Sequence, residues 1–291
     1  MPTEEEKAHT SSVRSTYFLG WGEHGRPDDE DPAEAYHEAS KNLPSVVPWS
    51  SPGSAVLGTD PEAKATITRP VTRNLAAPTI ALPAPQYRDP GIEQAVHGRR
   101  SRRQFGSEPL SLQDLSTLLD AGYGRTRDAA PGTEEPPYRS VPSAGALYPL
   151  EIYPVVRNVD GLSPGVYHYD PLRQLLEVHR EEETTEHLAE IMFRLPNLPD
   201  VARTCSLVLF MVGVFWRTRF KYGLRGYRWV LLEAGHVGQN ILLGAEMMGL
   251  SAVPYGGIWD RRVDDFLDVD GVNESVVYSL AVGSTPNSDE R

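Results

Sequence analysis

Apolar residues are densest between positions 206 and 250. Residues 206–215 (SLVLFMVGVF) form a continuous apolar run of strand length, which predicts a central strand covered on both faces. From 229 to 248 there is no proline, and Trp229, Val230, Leu231, Leu232, Val237, Ile241, Leu242, Leu243, Met247 and Met248 fall on every side of a helix. A helix apolar all round is buried in a core or an interface. Arg228, Glu233, His236, Gln239, Asn240 and Glu246 interrupt it too often for a bilayer span, and Gly249 is placed to end it. The buried polar members need hydrogen-bond partners, so the surroundings are both apolar and specifically polar.

Around this centre the pattern alternates. Residues 92–97 predict a short helix. Ser111, with Asp114 three positions on, caps a second helix whose stripe is Leu112, Leu115, Leu118 and Leu119, ending at Gly122 or Gly124. Residues 125–137 read as a polar loop, 151–157 (EIYPVVR) as a strand, and 165–170 with 175–179 as an antiparallel pair turning at Asp170-Pro171. Residues 186–193 and 263–267 read as helical and 274–283 as a last strand. The fold class is α+β, helices against a mostly antiparallel sheet. Residues 1–85 are an irregular N-terminal arm, with a short helix near 35–41 (within YHEASK) and a proline-rich linker over 69–88; 86–285 are the folded domain and 286–291 a tail.

A net charge of −12 over 291 residues argues against a nucleic-acid partner. One cysteine, Cys205, excludes an intrachain disulfide and a cysteine zinc site, and its apolar setting reads as burial. The acidic start has no apolar signal region, so the expected location is cytoplasmic, without a membrane.

Three stretches carry chemistry. RRSRRQF (99–105) sets four arginines in an acidic chain; it is either solvated surface or a phosphate clamp of Arg99, Ser101 and Arg103. PSAGALYP (142–149) is either an ordinary tight turn or a small-residue platform that lets backbone approach a flat ligand, and Gly256-Gly257 has the same two readings. Lys221-Tyr222 is either an interfacial salt-bridging pair or a proton-transfer pair. His236 reads as a satisfied core histidine. No HExxH, Walker A or GxGxxG motif is present.

In this order these stretches resemble the flavin-dependent nitroreductase superfamily, and more closely its SagB/ThcOx-type branch, which oxidises azolines in peptide natural products. The resemblance covers roughly residues 86–285, with YHEASK apart from it. It implies a nitroreductase-like FMN-binding sandwich with the long helix at a homodimer interface, each flavin site being built from both subunits. It implies FMN held by Arg99, Arg100, Ser101 and Arg103, the isoalloxazine lined by Ser143, Ala144 and Gly145, and Gly256 and Gly257 approaching by backbone. Gln239 and Asn240, with Glu233 and His236, belong to the helix near the flavin. Lys221 and Tyr222 are the catalytic pair. The superfamily's usual C-terminal basic residue is not evident; the tail offers only Arg291. The implied reaction aromatises a thiazoline or oxazoline by removing a proton from one ring carbon and a hydride from its neighbour. The substrate is a peptide or carrier-bound azoline, and a cyclodehydratase is an expected partner. An NAD(P)H-dependent nitro- or quinone reductase and a non-catalytic scaffold of a peptide-modifying complex are the alternatives.

Overall fold

The computed structural model describes residues 32–41, 53, 56–57, 60–71, 76–88, 91–128, 137–194 and 198–287. Residues 1–47 and 48–291 form two compact units. In the first, the described residues make one helix, α1 (Pro32–Ala39), where a short helix is expected near 35–41.

The second unit is built on a seven-stranded sheet. Its strands are β1 (Thr79–Ala81), β5 (Leu150–Val156), β7 (Gly165–Asp170), β8 (Leu175–Glu181), β9 (Leu207–Val214), β10 (Ser251–Pro254) and β11 (Glu274–Gly283). The order is β1-β8-β7-β5-β9-β11-β10, with every neighbour antiparallel. β9 is buried at every residue because both faces are covered, which is what its unbroken apolar run predicts. Leu209 and Met211 point into the core beneath α4 (Leu112–Tyr123) and α8 (Gly226–Met248). Val208, Phe210 and Val212 point into a second core beneath α5 (Thr185–Ile191), α6 (Val201–Thr204) and α9 (Asp260–Phe266).

The Ser111–Asp114 capping box forms as expected. α4 and α8 cross closely: a Cβ at Gly122 would lie 2.6 Å from Ile241 Cγ1, so glycine is required there.

Two expectations change and two elements are added. Residues 125–137 are not simply loop, because β3 (Arg125–Arg127) pairs with β4 (Tyr138–Arg139). Leu110–Ser111 (β2) pairs in parallel with Val159–Asp160 (β6), a contact too short to show as periodicity. Within the 69–88 linker, β1 is the edge strand of the main sheet, and α2 (Pro61–Thr68) buries Ile67 just before it. The Lys221-Tyr222 pair ends a helix, α7 (Phe215–Tyr222), which the pattern of apolar positions does not mark.

α8 is also one-sided in the chain alone. Val230, Ala234, Val237, Ile241 and Ala245 are buried, while Leu231 and Leu232 are 44% and 54% exposed. Trp216 and Phe220 on α7, Leu224 in the following turn and Tyr227 at the start of α8 extend this apolar strip. Among the described residues no helix is long and apolar enough to cross a membrane.

Candidate functional site

The PSAGALYP loop and the end of α7 meet. The loop makes a short 3-10 turn over Ala144–Ala146, and three of its residues are left-handed: Gly145 (φ 66), Ala146 (φ 53) and Tyr148 (φ 45). A non-glycine residue held in such a region costs about 1–3 kcal/mol, so the surroundings must enforce it. A Cβ at Gly145 would lie 2.9 Å from both Lys221 Nζ and Tyr222 Oη. Glycine lets the loop backbone close on both groups at once. Lys221 Nζ sits 5.3 Å from the centre of the Tyr222 ring, and that ring meets Trp229 edge-on at 6.3 Å. Burial raises the Tyr222 phenol pKa, which favours its protonated form as a donor or relay.

Behind the loop lies Glu233 on α8, only 2% exposed. It accepts from Tyr123 Oη at 2.7 Å. Burial pushes its carboxyl up to about 7, against opposing hydrogen bonds from Ser143 and Tyr123. Ser143 Oγ also accepts from the Tyr148 N–H at 2.9 Å, closing the loop on itself. Arg139 lies 4.4 Å and 4.7 Å from the ring centres of Tyr123 and Tyr148.

Beneath the corner runs a buried charge network. Arg217, one helical turn before Lys221, is 1% exposed. It donates to Glu151 Oε1 at 2.6 Å, to the Tyr148 carbonyl at 2.9 Å and to the Arg69 carbonyl at 2.8 Å. Glu151 continues to His168 Nε2 at 2.7 Å, and His168 Nδ1 to Glu177 at 3.2 Å. Although burial opposes both shifts, Arg217 and His168 hold Glu151 down at about 2, and the two carboxylates raise His168 to about 9. These residues were not singled out in the sequence. The signal was there in EIYPVV and GVYHYD: Glu151 near the start of an otherwise apolar strand and His168 between two tyrosines.

The arginine cluster lies elsewhere. Arg102 pairs with Glu246 near the C-terminal end of α8, and its N–H donates to the Ala252 carbonyl at 3.1 Å. Glu233 and Glu246 are thirteen residues apart on α8, a separation of roughly 20 Å along the axis. Arg100 turns back onto the carbonyls of His97 and Arg99, at 2.7 Å and 2.9 Å, and so is committed to its own chain. The Arg99 guanidinium makes no hydrogen bond or ion pair among the described residues, although its backbone N–H donates to the Ala95 carbonyl at 3.0 Å, and Arg103 makes a long 3.5 Å bond to the Ser101 carbonyl. Ser101 and Arg103 line a cleft of about 580 Å³ together with Gln104, Ser251 and Thr285.

Other expected residues divide. Asn240 Nδ2 donates to the carbonyls of Ala121 (3.2 Å) and Ser140 (3.5 Å), so its amide ties α8 to α4 and to the end of β4. Gln239 and His236 lie on the exposed side of α8. Gly257 is packed, since a Cβ there would meet Tyr255 at 3.0 Å and Phe193 at 3.3 Å, whereas Gly256 has open space. Ala144 lies in the turn at the corner. Arg291 lies outside the described residues.

Two observations fit FMN. The cleft beside Ser101 and Arg103 has the size and mixed lining of a cofactor site, with guanidinium and hydroxyl groups suited to a phosphate. The buried indole N–H of Trp229 and the Ser140 hydroxyl have no hydrogen-bond partner among the described residues. Such donors are costly unless a ligand satisfies them.

The nitroreductase family's sequence profile matches residues 96–284. A Methanocaldococcus jannaschii protein named as a nitroreductase is 36% identical over 191 residues, covering 66% of this chain and 91% of its own. The Escherichia coli microcin B17-processing protein McbC is 34% identical over 167 residues; the match covers 55% of this chain and 57% of McbC. Among solved structures, a chain of the E. coli microcin synthetase McbBCD complex with truncated pro-MccB17 bound superposes with a TM-score of 0.54. It is 22% identical and covers 88% of this chain and 95% of that one.

Proposed function

This chain belongs to the nitroreductase family, and on that premise we propose that it is an FMN-dependent dehydrogenase that oxidises azoline rings to azoles in a peptide or peptide-like natural product. The observation that carries the reading is the convergence of Lys221 Nζ and Tyr222 Oη on Gly145. Azoline oxidation must remove a ring proton as well as a hydride, and two candidate proton-transfer groups at the end of α7, packed against one glycine of the 143–148 loop, suit that step. The similarity to McbC, a microcin-processing protein, points the same way.

Arg99, Ser101 and Arg103 would hold the FMN phosphate, and Gly256 would let backbone approach the ring. When bound, FMN supplies the acceptor for the hydride that leaves the azoline. The chain's own groups do the rest. Lys221 takes the proton from the adjacent ring carbon. Tyr222, kept protonated by burial, orients the ring nitrogen or relays that proton outward. Gly145 brings the loop backbone against both groups, and Trp229 meets the Tyr222 ring edge-on. The solved McbBCD assembly supports a cyclodehydratase as partner, and the apolar strip on α7 and α8 supports a homodimer.

The test is mass spectrometry of azoline peptides incubated with the purified protein. The product should have lost two hydrogens, and Lys221→Ala should leave the peptide unchanged. The M. jannaschii relative, matched over most of its length, favours a second reading as an NAD(P)H-dependent reductase. Rapid bleaching of the bound flavin by NADPH, with azoline peptides untouched, would select it.

A further inference from the structure

We propose that the buried Arg217–Glu151 pair is a positioning device that sets Lys221 and Tyr222 against the 143–148 loop. The proposal deepens the functional reading above and rests on it for its catalytic arm.

Arg217 grips both halves of the corner. It lies on α7, four residues before Lys221, so it shares a helix face with that lysine. Its guanidinium reaches the carbonyl of Tyr148, the left-handed residue at the far end of the loop. The same group reaches the Arg69 carbonyl, while Glu151 accepts from the Val71 N–H at 3.2 Å. The segment after α2 is thereby fastened to the same point. Glu151 fixes the guanidinium plane and is held in turn by His168. A planar fork with several donors suits this task, whereas an ammonium group satisfies fewer fixed acceptors.

A buried ion pair is often neutral or unfavourable for stability compared with an uncharged pair of similar volume. That allows positioning to be separated from folding. In Arg217→Met/Glu151→Gln the charges go together, but the Tyr148 and Arg69 carbonyls lose their donor. We expect this protein to keep the wild-type circular dichroism spectrum. Its kcat on an azoline peptide should fall by about 10- to 100-fold with KM little changed, because misplacement of a reacting group by about an ångström has an effect of that size. Arg217→Lys, which retains the charge but not the fork, should also fold and also lose kcat.

A second readout needs neither substrate nor flavin. The chain has four lysines, at 7, 41, 64 and 221. Competitive labelling with acetic anhydride, read peptide by peptide, gives the reactivity of Lys221 relative to Lys41, an exposed lysine outside the segment that the pair fastens. The ratio should shift in both variants and stay constant in His187→Gln, a change at an exposed site. A wild-type protein that never oxidises an azoline sinks the functional reading, and the labelling arm still judges the positioning role. Folded variants with the wild-type labelling ratio would overturn the proposal. So would failure of both to fold, which would assign the pair to stability alone.

Discussion

Replacing Gly145 by alanine separates backbone strain from crowding of the corner. At φ 66 an L-residue pays for the left-handed backbone, about 1–2 kcal/mol. For a domain of this size that should lower Tm by roughly 2–8 °C. The new methyl would also lie 2.9 Å from Lys221 Nζ and from Tyr222 Oη, closer than real Cβ atoms come. Both neighbours are ends of side chains, so they can retreat, but only by leaving the corner. A displacement near 1 Å lowers rates on the order of 10²-fold. Gly161 is the control: its φ is 83, yet a Cβ there meets nothing within 4 Å. Gly161→Ala should show a similar fall in Tm with full azoline oxidation. Gly145→Ala should show the fall in Tm and lose most of kcat. Thermal melts and initial rates on an azoline peptide check both. Wild-type kcat in Gly145→Ala would refute the claim that reacting groups converge there.

Lys221→Ala and Tyr222→Phe should retain flavin and fold but lose about 10²- to 10⁴-fold in rate, with the double variant no worse than the poorer single one. Arg103→Ala should weaken FMN binding, seen as flavin lost on gel filtration, with activity restored by excess FMN. Leu231→Asp with Leu232→Asp should convert a dimer to a monomer by light scattering, because both side chains lie in the exposed apolar strip. Glu233 holds its proton more tightly in the folded chain than in the unfolded one, from 4.5 to about 7. Its contribution is therefore full below pH 4.5 and lost as pH rises toward 7, on the order of 3 kcal/mol. Denaturant midpoints across that range should fall with pH in the wild type and stay flatter in Glu233→Gln. His168, raised to about 9, adds its own decline above pH 6.5 in both proteins.

The central strand and long helix were legible because each carries one periodicity over many residues. β9 lies within the apolar run, and α8 begins only three residues before the expected 229. The Ser111 cap was legible because capping is local chemistry between residues three apart. The corner was half legible. PSAGALYP and Lys221-Tyr222 stood out as motifs, but about 75 residues separate them, and the pairing of β5 with β9 brings them together. The Arg217–Glu151–His168 network was missed for the same reason. Its members come from α7, β5 and β7, and although a charge stands out in β5 and β7, nothing in any one segment shows that the three meet. β1 was missed because three residues among prolines carry too little alternation to mark a strand.

The largest difference from the sequence expectation concerns the arginine cluster. The motifs were read as one site, yet in one chain they lie toward opposite ends of α8, with Arg102 docked on Glu246 and the corner beside Glu233. A separation of roughly 20 Å along the helix is more than a phosphate clamp and a proton-transfer pair on the same small ring system would need. The exposed strip along α7 and α8 offers a way out. In an isologous pair each surface meets its own copy, and two helices crossing a perpendicular two-fold axis run antiparallel. The C-terminal end of one α8 then lies near the N-terminal end of its partner. On this geometry the clamp of one subunit serves the corner of the other, and neither subunit completes a site alone. The consequence is testable in the same Leu231→Asp/Leu232→Asp protein. If sites are shared, the monomer loses flavin and azoline oxidation together, although neither leucine bears a group that binds phosphate or moves a proton. A monomer that stays yellow and active would place the whole site within one chain.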